Sequence, residues 1–138
     1  MEADDIKLVR QTFRHLNPVK NLAAEVFYAR LFEIDPTTAP LFAKVDMKSQ
    51  GGKMMAAVGL VVEALDRLPS VTPQITDLAR RHRAYGVSEA QYASVGAALC
   101  WTLEQAYGTA FTPEVSAAWG RAFSALSKTM IEAQHLPG

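Results

Sequence analysis

Cysteine is almost missing from this chain. Cys100 stands alone, so no internal disulfide forms and the small, bridge-stapled secreted class is excluded. A lone thiol fits a reducing compartment, and we expect a cytoplasmic protein in which Cys100 is buried and inert. Charge of one sign is missing as well: 14 basic side chains balance 14 acidic ones, which leaves no field to hold nucleic acid or an anionic membrane. No run approaches the roughly 20 apolar residues of a membrane span. The acidic opening Met1-Glu2-Ala3-Asp4-Asp5 is unlike a signal peptide. Period-two runs of β-branched residues are absent, which argues against a sheet. Gly51-Gly52-Lys53 lacks the first glycine and the closing Ser or Thr of a phosphate-binding loop. Histidine is scarce, and neither His15 nor His135 is spaced from His82 as a paired metal ligand, which argues against zinc.

What remains is apolar and helical. Hydrophobic residues make up 49% and charged residues 20% of the 138. That suits one compact all-α domain, 1–138, removing roughly two-thirds of its chain surface from water. Asn17-Pro18, Thr72-Pro73 and Thr112-Pro113 each place a capping side chain before a proline suited to a first helical turn. Ser88 with Gln91 reads as a capping box, and Gly86 and Gly108 as left-handed helix ends. The predicted helices run from Ile6 to Leu16, Pro18 to Ile34, Ser49 to Leu68, Ser88 to Tyr107 and Thr112 to Gln134. A short turn spans Pro36 to Phe42, and a further segment carries His82.

The stretch from Ile75 to Val87 organises the rest. At about 100° per residue, Ile75, Leu78 and Ala79 share a face with His82, whereas Arg80 and Arg83 point elsewhere. A histidine on a buried stripe needs either a hydrogen bond or a metal, and periodicity leaves both open. A metal held by one protein ligand must bring its others, as haem does with its pyrrole nitrogens. In the helix after the polar corner, Gln50, Met54, Val58, Val61 and Leu65 form one face, apolar except at Gln50. Gly51 and Gly52 should each cost about 1 kcal/mol against alanine in a helix interior. Close approach of another backbone would offset that cost, and Ala24 is the small residue expected at such a crossing. Tyr28, one turn further, would then direct its hydroxyl toward Gln50.

These residues resemble the bacterial single-domain globins, relatives of the haem domains of flavohaemoglobins. The likeness is carried by Phe27-Tyr28, Leu41-Phe42 after a proline-rich turn, Gln50 with Met54, and Arg81-His82 ahead of Gly86-Val87. Tyr92 with Val95-Gly96, and Ala118-Trp119-Gly120, extend it over nearly the whole chain. The resemblance implies the globin fold, a three-on-three helical sandwich around one haem b, with His82 as the metal ligand. It also implies that Phe42 stacks on the porphyrin and that Met54, Val58, Leu78, Val87, Tyr92 and Val95 contribute to the cofactor site. Lys53 and Arg81 would approach the propionates. Tyr28 and Gln50 would face bound O₂, CO or NO, and the Met54 sulfur is an alternative sixth ligand.

A phenol donor in a dry pocket contributes about 1.5–3 kcal/mol toward partial negative charge on a bound ligand, roughly ten- to a hundredfold in affinity. Tight O₂ binding with slow release is therefore expected. A neutral His82 would donate from its second ring nitrogen to the Leu78 carbonyl. Tyr92 stands where a supporting tyrosine is found in flavohaemoglobins, but Gln134 replaces their glutamate and Glu132 is out of register, which weakens any peroxidase-like push. The function implied is reversible O₂ binding or transport. NO dioxygenation with Tyr28 and Gln50 as catalytic groups would need an external reductase as partner. The competing reading is a free-standing gas sensor or interaction module without turnover. Monomer and weak dimer both stay open.

Overall fold

Six α-helices joined by short 3₁₀ turns make up the described chain in the computed structural model. The structure describes residues 2–134, and of residue 134 the backbone alone. The helices are α1 (Ala3–Leu16), α2 (Lys20–Ile34), α3 (Met47–Glu63), α4 (Thr72–Ala84), α5 (Glu89–Tyr107) and α6 (Pro113–Gln134). Among the described residues there is no strand, in keeping with the all-α expectation. The helices form two layers, α1, α3 and α4 over α2, α5 and α6, joined across by α2 against α3 and by α6 against both α1 and α4. Val9, Leu103 and Ala118 sit fully buried at the centre. No helix of the described residues is long and apolar enough to cross a membrane.

Local chemistry explains most of the boundaries. Ser88 Oγ accepts from the Gln91 amide at 3.3 Å while Gln91 Oε1 accepts from the Ser88 amide at 2.9 Å, so the predicted capping box opens α5. Thr112 Oγ1 accepts from the Val115 amide at 3.3 Å at the start of α6. Asn17 and Thr72 differ from expectation. Pro18 lies in a 3₁₀ turn, Asn17–Val19, so α2 begins at Lys20, and Thr72 is already helical behind Val71. The third helix is shifted: Asp46 caps it by accepting from the Lys48 amide at 3.3 Å, so it starts at Met47 rather than Ser49.

That helix ends at Glu63 rather than Leu68 because Arg10, from α1, closes it. Its guanidinium donates to the carbonyls of Val62 at 3.3 Å and Glu63 at 2.6 Å and pairs with Asp66 at 2.7 Å. Arg67 then leaves helical geometry (φ −149°, ψ 42°) and Pro69 follows, a residue that cannot donate to a continuing helix. Gly86 and Gly108 both adopt positive φ, as predicted.

A second charged tie spans the layers. Asp5, on α1, takes both oxygens to the Arg121 guanidinium of α6 at 2.7 Å each. The hydrogen bond from Arg121 holds the carboxyl below its ordinary value of 3.8, against a smaller opposing effect of burial. A carboxyl depressed in the folded state stabilises the fold above its unfolded value and ceases to do so as pH falls through the folded value. The melting temperature of an Asp5→Asn variant should therefore fall below wild type most at neutral pH, with the gap closing as pH drops below 3.8. A gap that stays constant from neutral to acid pH would show that this pair is not linked to stability.

Candidate functional site

The site begins where α2 crosses α3. A Cβ added at Gly51 would lie 3.0 Å from the Cβ of Ala24, so the glycine permits the close crossing anticipated from the sequence. Gly52 is different: nothing lies within 4 Å of its added Cβ, and the expected compensation at that residue is not found.

The approach sets Gln50 beside Tyr28, with Gln50 Nε2 donating to the phenol oxygen at 3.2 Å. The amide nitrogen is only a donor, so the phenol proton is left for another acceptor. Burial raises the Tyr28 pKa, the Gln50 hydrogen bond partly opposing it, and the phenol stays protonated. Tyr28 is enclosed by rings, with centroids of Phe27 at 4.9 Å, Phe42 at 5.2 Å and Phe32 at 6.0 Å.

On α4, His82 Nδ1 lies 2.8 Å from the carbonyl of Leu78. A carbonyl only accepts, so Nδ1 carries the proton and donates, which leaves the lone pair on Nε2. Burial lowers the His82 pKa, the Leu78 hydrogen bond opposes this and the Arg81 charge adds to the lowering. The backbone is pinned too. Gly86, at φ +86°, lets its own amide reach the Arg83 carbonyl and the Val87 amide reach the His82 carbonyl, both at 3.0 Å, the paired bonds that end a helix in a left-handed glycine. The ring of buried Tyr92, on α5, lies 6.2 Å from the imidazole with 23° between planes.

α5 joins the two halves. Tyr92 packs in an apolar cluster that Leu78 and Val87 flank. Val95, three residues on, joins Phe42 and Met54 around Phe27 and Tyr28. Val58 packs with the main core. Phe27, Tyr28 and Tyr92 are buried, whereas Phe42, Met54, Val58, Leu78, Val87 and Val95 are half-buried, so apolar side chains of α3, α4, α5 and the Phe42 turn keep part of their surface uncovered. Lys53 is exposed, and Arg81 pairs with Asp77 at 2.9 Å on the surface. Glu132 is exposed, so it does not turn inward, while the side chains of Gln134 and His135 lie outside the described residues. Cys100 is half-buried, and burial raises its pKa, as suits an inert thiol. Asp77 and Arg81 stand four residues apart on one helix, a spacing that itself suggests an ion pair, whereas the contact of Gln91 with Thr37, 54 residues away, had no signal in the sequence.

Among the described residues no group of three or more His, Cys, Asp or Glu is placed to hold a metal ion. The donor set is one neutral imidazole with its lone pair on Nε2, half-buried apolar walls, and a protonated phenol. That set fits a planar apolar macrocycle that carries its own equatorial ligands.

A protein-family model described as Globin matches residues 25–130. The chain is similar to the neuroglobin of Chaenocephalus aceratus, 29% identical over 91% of this chain and 87% of that protein. It is equally similar to the neuroglobin of Dissostichus mawsoni, with 29% identity and the same coverage. The neuroglobin of Tetraodon nigroviridis is 27% identical over 94% of this chain and 90% of its own length. These relatives are fish proteins. The narrower likeness to bacterial flavohaemoglobin domains finds no support in them.

The α2–α3 crossing yields a paired test. Gly52→Ala should stabilise the fold by about 0.5–1 kcal/mol, since it restores helix propensity into open space. Gly51→Ala should destabilise it by about 1–3 kcal/mol, since the new methyl presses on a backbone-anchored Cβ. Thermal or denaturant unfolding reads both, and equal effects at the two positions would sink the crossing argument.

Proposed function

The chain belongs to the globin family, and from that premise we propose that it binds haem b through His82 Nε2 and takes up O₂, CO or NO reversibly beside Tyr28 and Gln50. The observation that carries this reading is the 2.8 Å bond from His82 Nδ1 to the Leu78 carbonyl, which sets the tautomer needed for ligation by the other nitrogen. When bound, haem supplies a ferrous iron with one position open to a diatomic ligand. Tyr28 would offer that ligand a hydrogen bond from its phenol O–H, which Gln50 orients by donating to the phenol oxygen. Phe42 would pack on the macrocycle. Met54, Val58, Leu78, Val87, Tyr92 and Val95 would keep water from it, and Lys53, together with Arg81 once it leaves Asp77, would offer positive charge to its carboxylates.

Conversion of NO and O₂ to nitrate consumes one electron per turnover and so asks for a reductase as partner. The fish relatives lend it no support, and reversible binding is the reading adopted. Balanced charge and the lone thiol agree with a cytoplasmic setting and with small-molecule ligands rather than nucleic acid or membrane.

Purified protein supplied with haem should develop a Soret band, and His82→Ala should lose the ligation spectrum. No band in the wild-type protein, or an unchanged spectrum in the variant, sinks the proposal. Tyr28→Phe removes a donor contribution of about 1.5–3 kcal/mol. O₂ release, followed by stopped-flow displacement with CO, should accordingly quicken roughly ten- to a hundredfold.

A further inference from the structure

Gln91 does more than the cap of α5 requires. A capping box uses the side-chain oxygen alone, and Gln91 Oε1 supplies it by accepting from the Ser88 amide at 2.9 Å. Its amide nitrogen is committed elsewhere. Buried Gln91 sends Nε2 to the 3₁₀ turn Pro36–Phe42, where it donates to the Thr37 carbonyl at 3.3 Å and the Thr37 hydroxyl at 3.2 Å.

One helical turn along α5, the Ser94 hydroxyl donates to Asp35 Oδ2 at 2.6 Å. The other oxygen of Asp35 accepts from the Thr37 amide at 3.2 Å and from the Thr37 hydroxyl. The turn is thus closed on itself by Asp35 and held to α5 at two points. Its last residue, Phe42, meets the Tyr28 ring edge-on at 5.2 Å. The residue beside Gln91 is Tyr92, whose ring faces His82 at 6.2 Å.

We propose that Gln91 is a positioning residue that locks the Phe42 turn to the first turn of α5, so that the Tyr28 side and the His82 side of the site hold one relative placement. The proposal rests on the haem-binding reading above. Gln91 touches neither His82 nor Tyr28 in this role and acts through Thr37 and Phe42 on one side and through Tyr92 on the other.

Gln91→Glu isolates this role, because a glutamate still accepts from the Ser88 amide and so keeps the capping box, while a carboxylate cannot donate to Thr37. In haem-loaded protein the variant should keep its helix content and its Soret band. Hydrogen exchange at the amides of residues 37–39, 41 and 42 should quicken about tenfold or more, as expected for a locally loosened segment. The CO-stretching band, which reports the field of the Tyr28 and Gln50 dipoles, should split or broaden although neither residue has changed. If Gln91→Glu does not fold, Thr37→Val removes one of the two acceptors and should broaden the same band to a smaller extent. A CO band and a turn exchange rate equal to wild type in the folded variant overturn the proposal alone. A wild-type protein with no Soret band overturns the haem reading and this proposal together.

Discussion

The hydrogen bond from His82 to the Leu78 carbonyl is the contact on which the site depends. An imidazole on an apolar stripe can satisfy one nitrogen internally, and α4 supplies the carbonyl one turn back at 2.8 Å. The carbonyl also decides which nitrogen keeps its lone pair. Burial then acts in the same direction as the tautomer, since it disfavours the imidazolium and keeps the ring neutral. The helix end adds rigidity, because Gly86 allows Val87 to hold the His82 carbonyl itself. Ring orientation, tautomer and backbone are therefore set by residues within five of His82, while burial in the packed fold keeps the ring neutral.

The other half of the site is built differently, from contacts distant in sequence. Tyr28 and Gln50 meet because α2 and α3 cross at Ala24 and Gly51, where only a missing side chain allows the approach. Once they meet, the Gln50 amide nitrogen, which can only donate, leaves the phenol proton to another acceptor. Three aromatic rings around that phenol shield it from water, which is the condition under which a hydrogen bond to developing charge has most effect. α5 lies between the two halves, with Tyr92 facing one and Val95 packing with the other.

Legibility in the sequence follows the range of the interaction. The Ser88–Gln91 box, the Thr112 cap, the glycine helix ends and the His82–Leu78 bond involve residues at most four or five apart, and all four stand in the structure as the residues suggested. The Gly51–Ala24 crossing was also foreseeable, because a glycine within a helix carries a cost that asks for a reason. What stayed hidden are side chains that act across the chain. Nothing around Arg10 announces that its guanidinium will end α3 some fifty residues later, so the end expected from the sequence, Leu68, lies five residues past the observed one at Glu63. The amide of Gln91 was read as a cap and no more, since its second partner belongs to a distant turn. Proline before a helix was a weaker guide than it looked. Pro18 and Pro73 fix φ at a first turn, but that turn can be 3₁₀, and the preceding side chain need not cap it.

The two polar residues of the ligand side are not equivalent. Tyr28 is enclosed, on the middle of a helix, by packing that leaves its ring one placement. Gln50 lies near the start of α3, half-buried, with three rotatable side-chain bonds and one hydrogen bond to hold it. The entropy of a long side chain opposes a single contact of that kind, whereas Tyr28 has already been ordered by its neighbours. In the proposed reading, electrostatic stabilisation of a bound ligand would therefore fall chiefly to Tyr28. Gln50 would govern how often the phenol proton points toward that ligand. A change in Gln50 acts on the population of the productive orientation, while a change in Tyr28 removes the donor itself.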